Sequence, residues 1–149
     1  YYSDICESVT VPLLNMIELS AQKLVEQKLS KIGVLASPAI KKIGIFDGMF
    51  KQFGFESKLS EDDIGMLKII KTVKKGGFDQ SIIANFKSQV SKLIDCECDG
   101  ILIACTELSL LSDYIPKSLP YVDSLDCLAE KIISMAMRTE TEFKEIPYD

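Results

Sequence analysis

The 149-residue sequence has no histidine and no tryptophan, and its only arginine is Arg138. Without His, neither a Ser-His-Asp nor a Cys-His catalytic set can be assembled within the chain, and no imidazole can ligate a metal. A single Arg, with Lys spread along the chain and a net charge of −5, argues against a nucleic-acid surface. No apolar run approaches the ~20 residues needed to span a bilayer, and the N-terminus lacks a signal-peptide pattern. The five cysteines, at 6, 96, 98, 105 and 127, have no paired spacing. Cys96-Glu97-Cys98 is C-x-C, not the C-x₂-C of a zinc ribbon, and no second pair answers it. These thiols read as reduced, in a cytoplasmic setting, with Cys96 and Cys98 at a helix end and its exit turn. Tyr1 in place of an initiator Met reads as the start of a piece of a longer product, or of a processed one.

What remains is ordinary for a globular chain: 47% hydrophobic and 26% charged. Short apolar runs alternate with amphipathic stretches, which predicts an α/β class with a mainly parallel sheet. Asp4–Val9 reads as the tail of a helix. Strands are predicted at Val11–Leu14, Lys31–Ala36, Phe55–Leu59, Ile101–Ala104 and Tyr121–Asp123. Helices are predicted at Ile17–Lys28, Lys42–Phe53, Ser60–Val73 with Ser60 as cap, and from Asp79, as cap, to Ile94. A last helix at Ser124–Met137 should turn Leu125, Leu128, Ile132, Ile133 and Ala136 inward. Thr139–Asp149 reads as a polar, fraying tail.

The most informative stretch is Asp99–Leu111. Its uncharged run Ile101–Ala104 reads as a strand buried on both faces. The run stops at Cys105, and Thr106 and Glu107 suit the opening of a helix. A thiol is thereby set at the carboxyl end of a parallel strand, the edge where open α/β sheets bind ligands. Backbone N–H groups at a helix start would favour its thiolate, a base and a nucleophile. The plainer alternative is a buried core thiol, the common fate of a lone Cys. Ser37-Pro38 makes a second strand-to-helix corner. Lys74-Lys75-Gly76-Gly77 closes a helix; its lysines either face an anionic substrate or complement the helix dipole, and the pattern itself favours the dipole.

Four segments in order resemble the aspartate/glutamate racemase family, most closely its aspartate racemase branch. Ala-Cys-Thr-Glu-Leu at 104–108 is similar to the second catalytic Cys segment, and Ile32-Gly-Val-Leu-Ala-Ser37 to a strand ending in a substrate-binding Thr. Pro12–Glu18 and Tyr121–Glu130 resemble flanking strand–helix units, so the likeness runs from about Tyr1 to Met137. It implies three-layer α/β/α lobes of the two-lobed racemase type: a complete second lobe at 30–114 carrying Cys105, and a partial first lobe from 1–29 and 115–149. It also implies a cofactor-independent isomerase with neither cofactor nor metal. Two thiols would exchange the Cα proton of aspartate or glutamate from opposite sides.

By this resemblance Cys105 is one acid/base, and Ser37, Lys74 and Thr106 contact the substrate, a small acidic amino acid. The family's first Cys segment and a first-lobe Arg belong before a stretch like Tyr1–Val9 and are absent from this sequence. Cys6 falls in the following helix and does not replace that first Cys. Ile40 stands where a second carboxylate-binding Thr is usual. The expectation is an incomplete site, with a surface met by the missing N-terminal lobe segment or by self-association. The alternatives are a non-catalytic, degenerate relative that binds a small carboxylate, and a thiol redox protein, which lacks a resolving Cys near Cys105.

Overall fold

The fold follows from one repeated event: a short apolar strand, a turn at its carboxyl end, and a helix returning across the sheet. In the computed structural model, Ile5, Glu7 and residues 8–144 are described, the side chains to Met137. Helix α1 (Met16–Glu26) is followed by β1 (Lys31–Leu35), α2 (Pro38–Ile43), α3 (Asp47–Phe53) and β2 (Glu56–Leu59). Then come α4 (Asp63–Lys74), α5 (Gln80–Asp95), β3 (Gly100–Ile103), α6 (Thr106–Ser109), a 3₁₀ turn, β4 (Tyr121–Asp123) and α7 (Ser124–Lys144). The strands form one parallel sheet in the order β2-β1-β3-β4. Among the described residues no helix is long and apolar enough to cross a membrane.

The pleat sorts the core into two layers. Leu35, Ile101 and Ile103 turn to one face and pack with Met66, Ile69, Phe86 and Leu93 of α4 and α5. Ile32, Val34, Leu102 and Val122 turn to the other and pack with Ala21, Leu24, Met49 and Phe50 of α1 and α3. Apolar strands covered on both faces are what a parallel sheet requires. Asp79 caps α5 by accepting from the Ile82 amide at 2.8 Å. Asp99 ties the start of β1 to the start of β3, accepting from the backbone amides of Ser30 and Lys31 and from the Ser30 hydroxyl.

Several expectations change. Val11–Leu14 forms no strand; Pro12 offers no N–H, and no strand of the described residues lies beside it. The helix expected at Lys42–Phe53 is two helices, because Gly44 adopts φ 67° and ends the first one by a left-handed turn. Ile43 and Ile45, flanking that turn, are exposed as a result. The cap of α4 is Asp62, not Ser60, whose hydroxyl instead donates to buried Gln89 at 2.6 Å. Leu125, Ile132, Ile133 and Ala136 are exposed on α7, whose buried contacts run through Cys127 and Ser124 toward α1. That helix also runs on to Lys144, through part of the stretch read as a tail. Cys6 and residues 145–149 lie outside the described residues. Tyr121–Asp123, Ser124–Lys144 and Met16–Glu26 come from the two segments assigned to a first lobe; here β4 pairs with β3 and α1 packs on α7.

Gly33 sits where β1 meets α5 and β3. A Cβ there would lie 2.8 Å from Ile101 Cδ1 and 3.0 Å from Leu93 Cβ. Gly33→Ala should cost about 1–3 kcal/mol by overpacking. Urea unfolding should show a lower midpoint with an unchanged slope; an unchanged midpoint would mean that the layer between β1 and α5 has slack.

Candidate functional site

Register carries three side chains to one edge. Leu35 of β1 pairs with Ile103 of β3, and Ile103 with Asp123 of β4. Ser37 and Cys105 therefore stand two residues beyond neighbouring strand ends, with Asp123 at the end of the third. Lys74 arrives from another direction, on the last turn of α4, which packs against α6.

Glu107 joins these groups. Cys105 Sγ donates to Glu107 Oε2 at 3.1 Å, and Lys74 Nζ lies 3.3 Å from Glu107 Oε1. The Thr106 hydroxyl donates to Oε2 at 3.4 Å. One carboxylate thus takes a thiol, an ammonium and a hydroxyl, and brings together Cys105, Thr106 and Lys74. Ser37 stays apart from this cluster. Its hydroxyl caps α2, accepting from the Ile40 amide at 3.3 Å, and keeps its own proton for another acceptor. Beside the thiol lies a small cavity of about 60 Å³, with Cys105, Thr106, Asp123 and Ser124 among its walls.

The thiol is not activated in the way the sequence led us to expect. Burial pushes Cys105 up to about 11, and its hydrogen bond to Glu107 adds to the rise. The helix behind it is only four residues long, and Cys105 makes no side-chain cap bond to it. A helix so short offers little dipole, while the carboxylate beside the sulfur opposes a second negative charge. Glu107 is held below the usual carboxylate range, first by the thiol's hydrogen bond and then by its own backbone N–H, with Lys74 contributing. The resting arrangement is a neutral thiol, a carboxylate and an ammonium.

Sequence reasoning saw Glu107 only as a helix-opening acid and passed over Asp123. The spacing Cys-x-Glu across a helix start was a usable signal for the first contact. The ion pair to Lys74, 33 positions away in the chain, had none. Cys96 and Cys98 occupy the exit of α5 as expected, with Glu97 between them at φ 61°.

The chain matches the Asp/Glu/Hydantoin racemase family over residues 1–132. It is 24% identical over 135 residues to the broad specificity amino-acid racemase RacX of Bacillus subtilis (strain 168), across 90% of this chain and 59% of that protein. A structure from Yersinia pestis provisionally assigned as an Asp/Glu racemase superposes with TM-score 0.80 at 23% identity, over 91% of this chain and 61% of that one. Picrophilus torridus aspartate racemase gives TM-score 0.67 at 24% identity, over 83% and 52%. These likenesses carry the parallel α/β fold. The chain spans only 52–61% of the length of these relatives.

Two pH effects follow from the raised thiols. Cys105 and Cys127 both stand at about 11 in the folded chain, against ~8.5 for a free thiol. The folded state therefore holds these protons more tightly than the unfolded one. The stability this contributes is fully present below ~8.5 and is lost as pH rises through the folded values. Urea midpoints should fall across that alkaline window, and Cys105→Ala should flatten part of the fall. Alkylation of Cys105 near neutral pH, read by peptide mass, should be slow, and Glu107→Gln should speed it severalfold by removing the opposing charge. A slower or unchanged rate in Glu107→Gln would refute the role given to that carboxylate.

Proposed function

This chain belongs to the Asp/Glu/Hydantoin racemase family, and we propose that it carries one acid/base half of a cofactor-independent racemase acting on aspartate or glutamate. The observation that carries this reading is the Cys105 thiol, held protonated at the carboxyl end of β3 by burial and Glu107. Racemisation passes through a planar carbanion at Cα. A neutral thiol is the form that can quench it: the S–H bond breaks, a Cα–H bond forms, and the sulfur is left as thiolate. In the opposite direction that thiolate takes the Cα proton. One thiol serves one face, so the other face needs a second acid/base, which we assign to a part of the protein outside the described residues.

The remaining roles follow from donor chemistry. Lys74 and the free hydroxyl proton of Ser37 suit carboxylate groups of the substrate, and Thr106 can donate beside the reacting carbon. Ile40, half-buried against the core, can donate only its backbone N–H, which Ser37 already accepts. The exposed apolar residues of α7 are where the rest of a two-lobed protein, or a second copy, would sit.

A second reading is favoured by one observation: Lys74 is already paired with Glu107 and so is not free for a substrate carboxylate. On that reading the chain binds a small carboxylate without turning it over. Proton exchange separates the two. In D₂O at alkaline pH, where part of the Cys105 thiol ionises, ¹H NMR of L- and D-aspartate with the chain should show Cα deuteration of one enantiomer without its inversion. Cys105→Ala should abolish the exchange. Exchange that persists in Cys105→Ala would remove the thiol from the mechanism, and none in the wild type for either aspartate or glutamate would leave the binding reading.

A further inference from the structure

Asp123 is 5% exposed, the most buried carboxylate among the described residues. Other aspartates at comparable junctions are well supplied with donors. Asp99 takes three, and Asp62 takes the Gly65 amide and the Gln89 amide group, with the Lys92 ammonium nearby. Asp123 takes one: its Oδ1 accepts from the Leu125 amide at 2.9 Å, capping the start of α7. Among the described residues its Oδ2 meets no donor, and no lysine lies within ion-pair distance of it.

That oxygen is not sealed off. No buried side-chain oxygen or nitrogen of the described residues lacks a partner, so Oδ2 must touch space that a small group can enter. Asp123 lines the cavity of about 60 Å³ whose other walls include Cys105, Thr106 and Ser124. A cavity needs only ~10–15 Å³ of such space to hold a water, so this one admits a small polar group such as an ammonium. A carboxylate this buried is costly without a partner. The second acid nearby, Glu107, is engaged with Lys74. Asp123 thus brings to the wall beside the thiol a carboxylate with one oxygen that no donor of the described residues occupies.

We propose that Asp123 receives the substrate's α-ammonium group in the cavity it shares with Cys105, and so selects amino acids over the corresponding dicarboxylic acids. This rests on the racemase reading of the site. The nitrogen and the hydrogen that is exchanged share one carbon, so an ammonium anchored at Asp123 brings Cα to the mouth of the cavity that Cys105 lines. The carboxylates stay outside, toward Lys74 and Ser37. Asp123 is a binding and positioning group here and exchanges no proton with Cα.

The test is an NMR titration of the ¹⁵N-labelled chain with L-aspartate, D-aspartate and succinate, followed at the amides of Cys105, Thr106 and Leu125. At least one aspartate enantiomer should bind about tenfold or more tightly than succinate, the scale of a charge-assisted hydrogen bond. Asp123→Asn keeps an oxygen for the Leu125 amide and removes the charge. It should erase the preference while leaving succinate affinity within about twofold. Equal binding of aspartate and succinate by the wild type overturns the inference alone, as does a folded Asp123→Asn that keeps the preference. If neither compound binds the wild type, the inference falls together with the racemase reading. Should Asp123→Asn not fold, the wild-type Leu125 amide, bonded to Asp123, decides: it should shift with aspartate and stay in place with succinate, and equal shifts overturn the inference.

Discussion

Parallel register is the constraint on which the rest of this structure depends. Leu35, Ile103 and Asp123 are paired across β1, β3 and β4, so three strands of different length end at one level. Parallel strands require crossover connections, and here each of the three strands is followed at once by a helix start. The chemistry-bearing residues fall in those junctions because the core leaves no other place for them. Within the sheet, β3 is buried at every residue from Gly100 to Ile103. One position further the backbone leaves the layer, and polar atoms become tolerable.

Electrostatics then fixes the state of the thiol. Glu107 shares its two oxygens between Cys105 and Lys74. A carboxylate that near a sulfur favours the S–H form, and burial works in the same direction. Lys74 is largely exposed, so its pairing contributes little to stability. Its consequence is local: it holds Glu107 as an anion whose second oxygen remains available to accept the thiol proton. Burial and the carboxylate both raise the thiol's pKa, so the folded chain holds Cys105 in its protonated form at neutral pH.

The alternation of strands and helices was legible because burial on two faces leaves an unmistakable run such as Ile101–Ala104. So was Cys105 at a strand end, since the apolar run stops there and an acid follows. Boundaries were legible where a cap has one chemistry, as at Asp79. They were misread where two neighbours compete for the cap: Ser60 and Asp62 both precede α4, and the buried amide of Gln89 takes the serine. The break at Gly44 was missed because the apolar spacing runs straight through it. Val11–Leu14 was misread because propensity cannot say whether a neighbouring strand is there to pair with. The Lys74–Glu107 contact joins residues from two crossovers, and nothing local in either segment encodes it.

Ser37, Cys105 and Asp123 have a common backbone task, each standing immediately before a helix. What each leaves over after that task decides what it offers a ligand. Ser37 spends an oxygen lone pair on the Ile40 amide and keeps a proton. Asp123 spends one oxygen on the Leu125 amide and keeps the other, with its charge. Cys105 closes no cap bond of good geometry; the Glu107 and Leu108 amides near its sulfur favour the thiolate but are outweighed by burial, and its proton goes to Glu107. A hydrogen-bond donor, a proton donor and an anion thus lie along one sheet edge, on three adjacent strands. In the function we propose, an amino acid would meet these three with a carboxylate, an exchangeable Cα and an ammonium. These leftover groups arise from capping chemistry at register-aligned strand ends, at the edge of a sheet whose central strands are largely apolar.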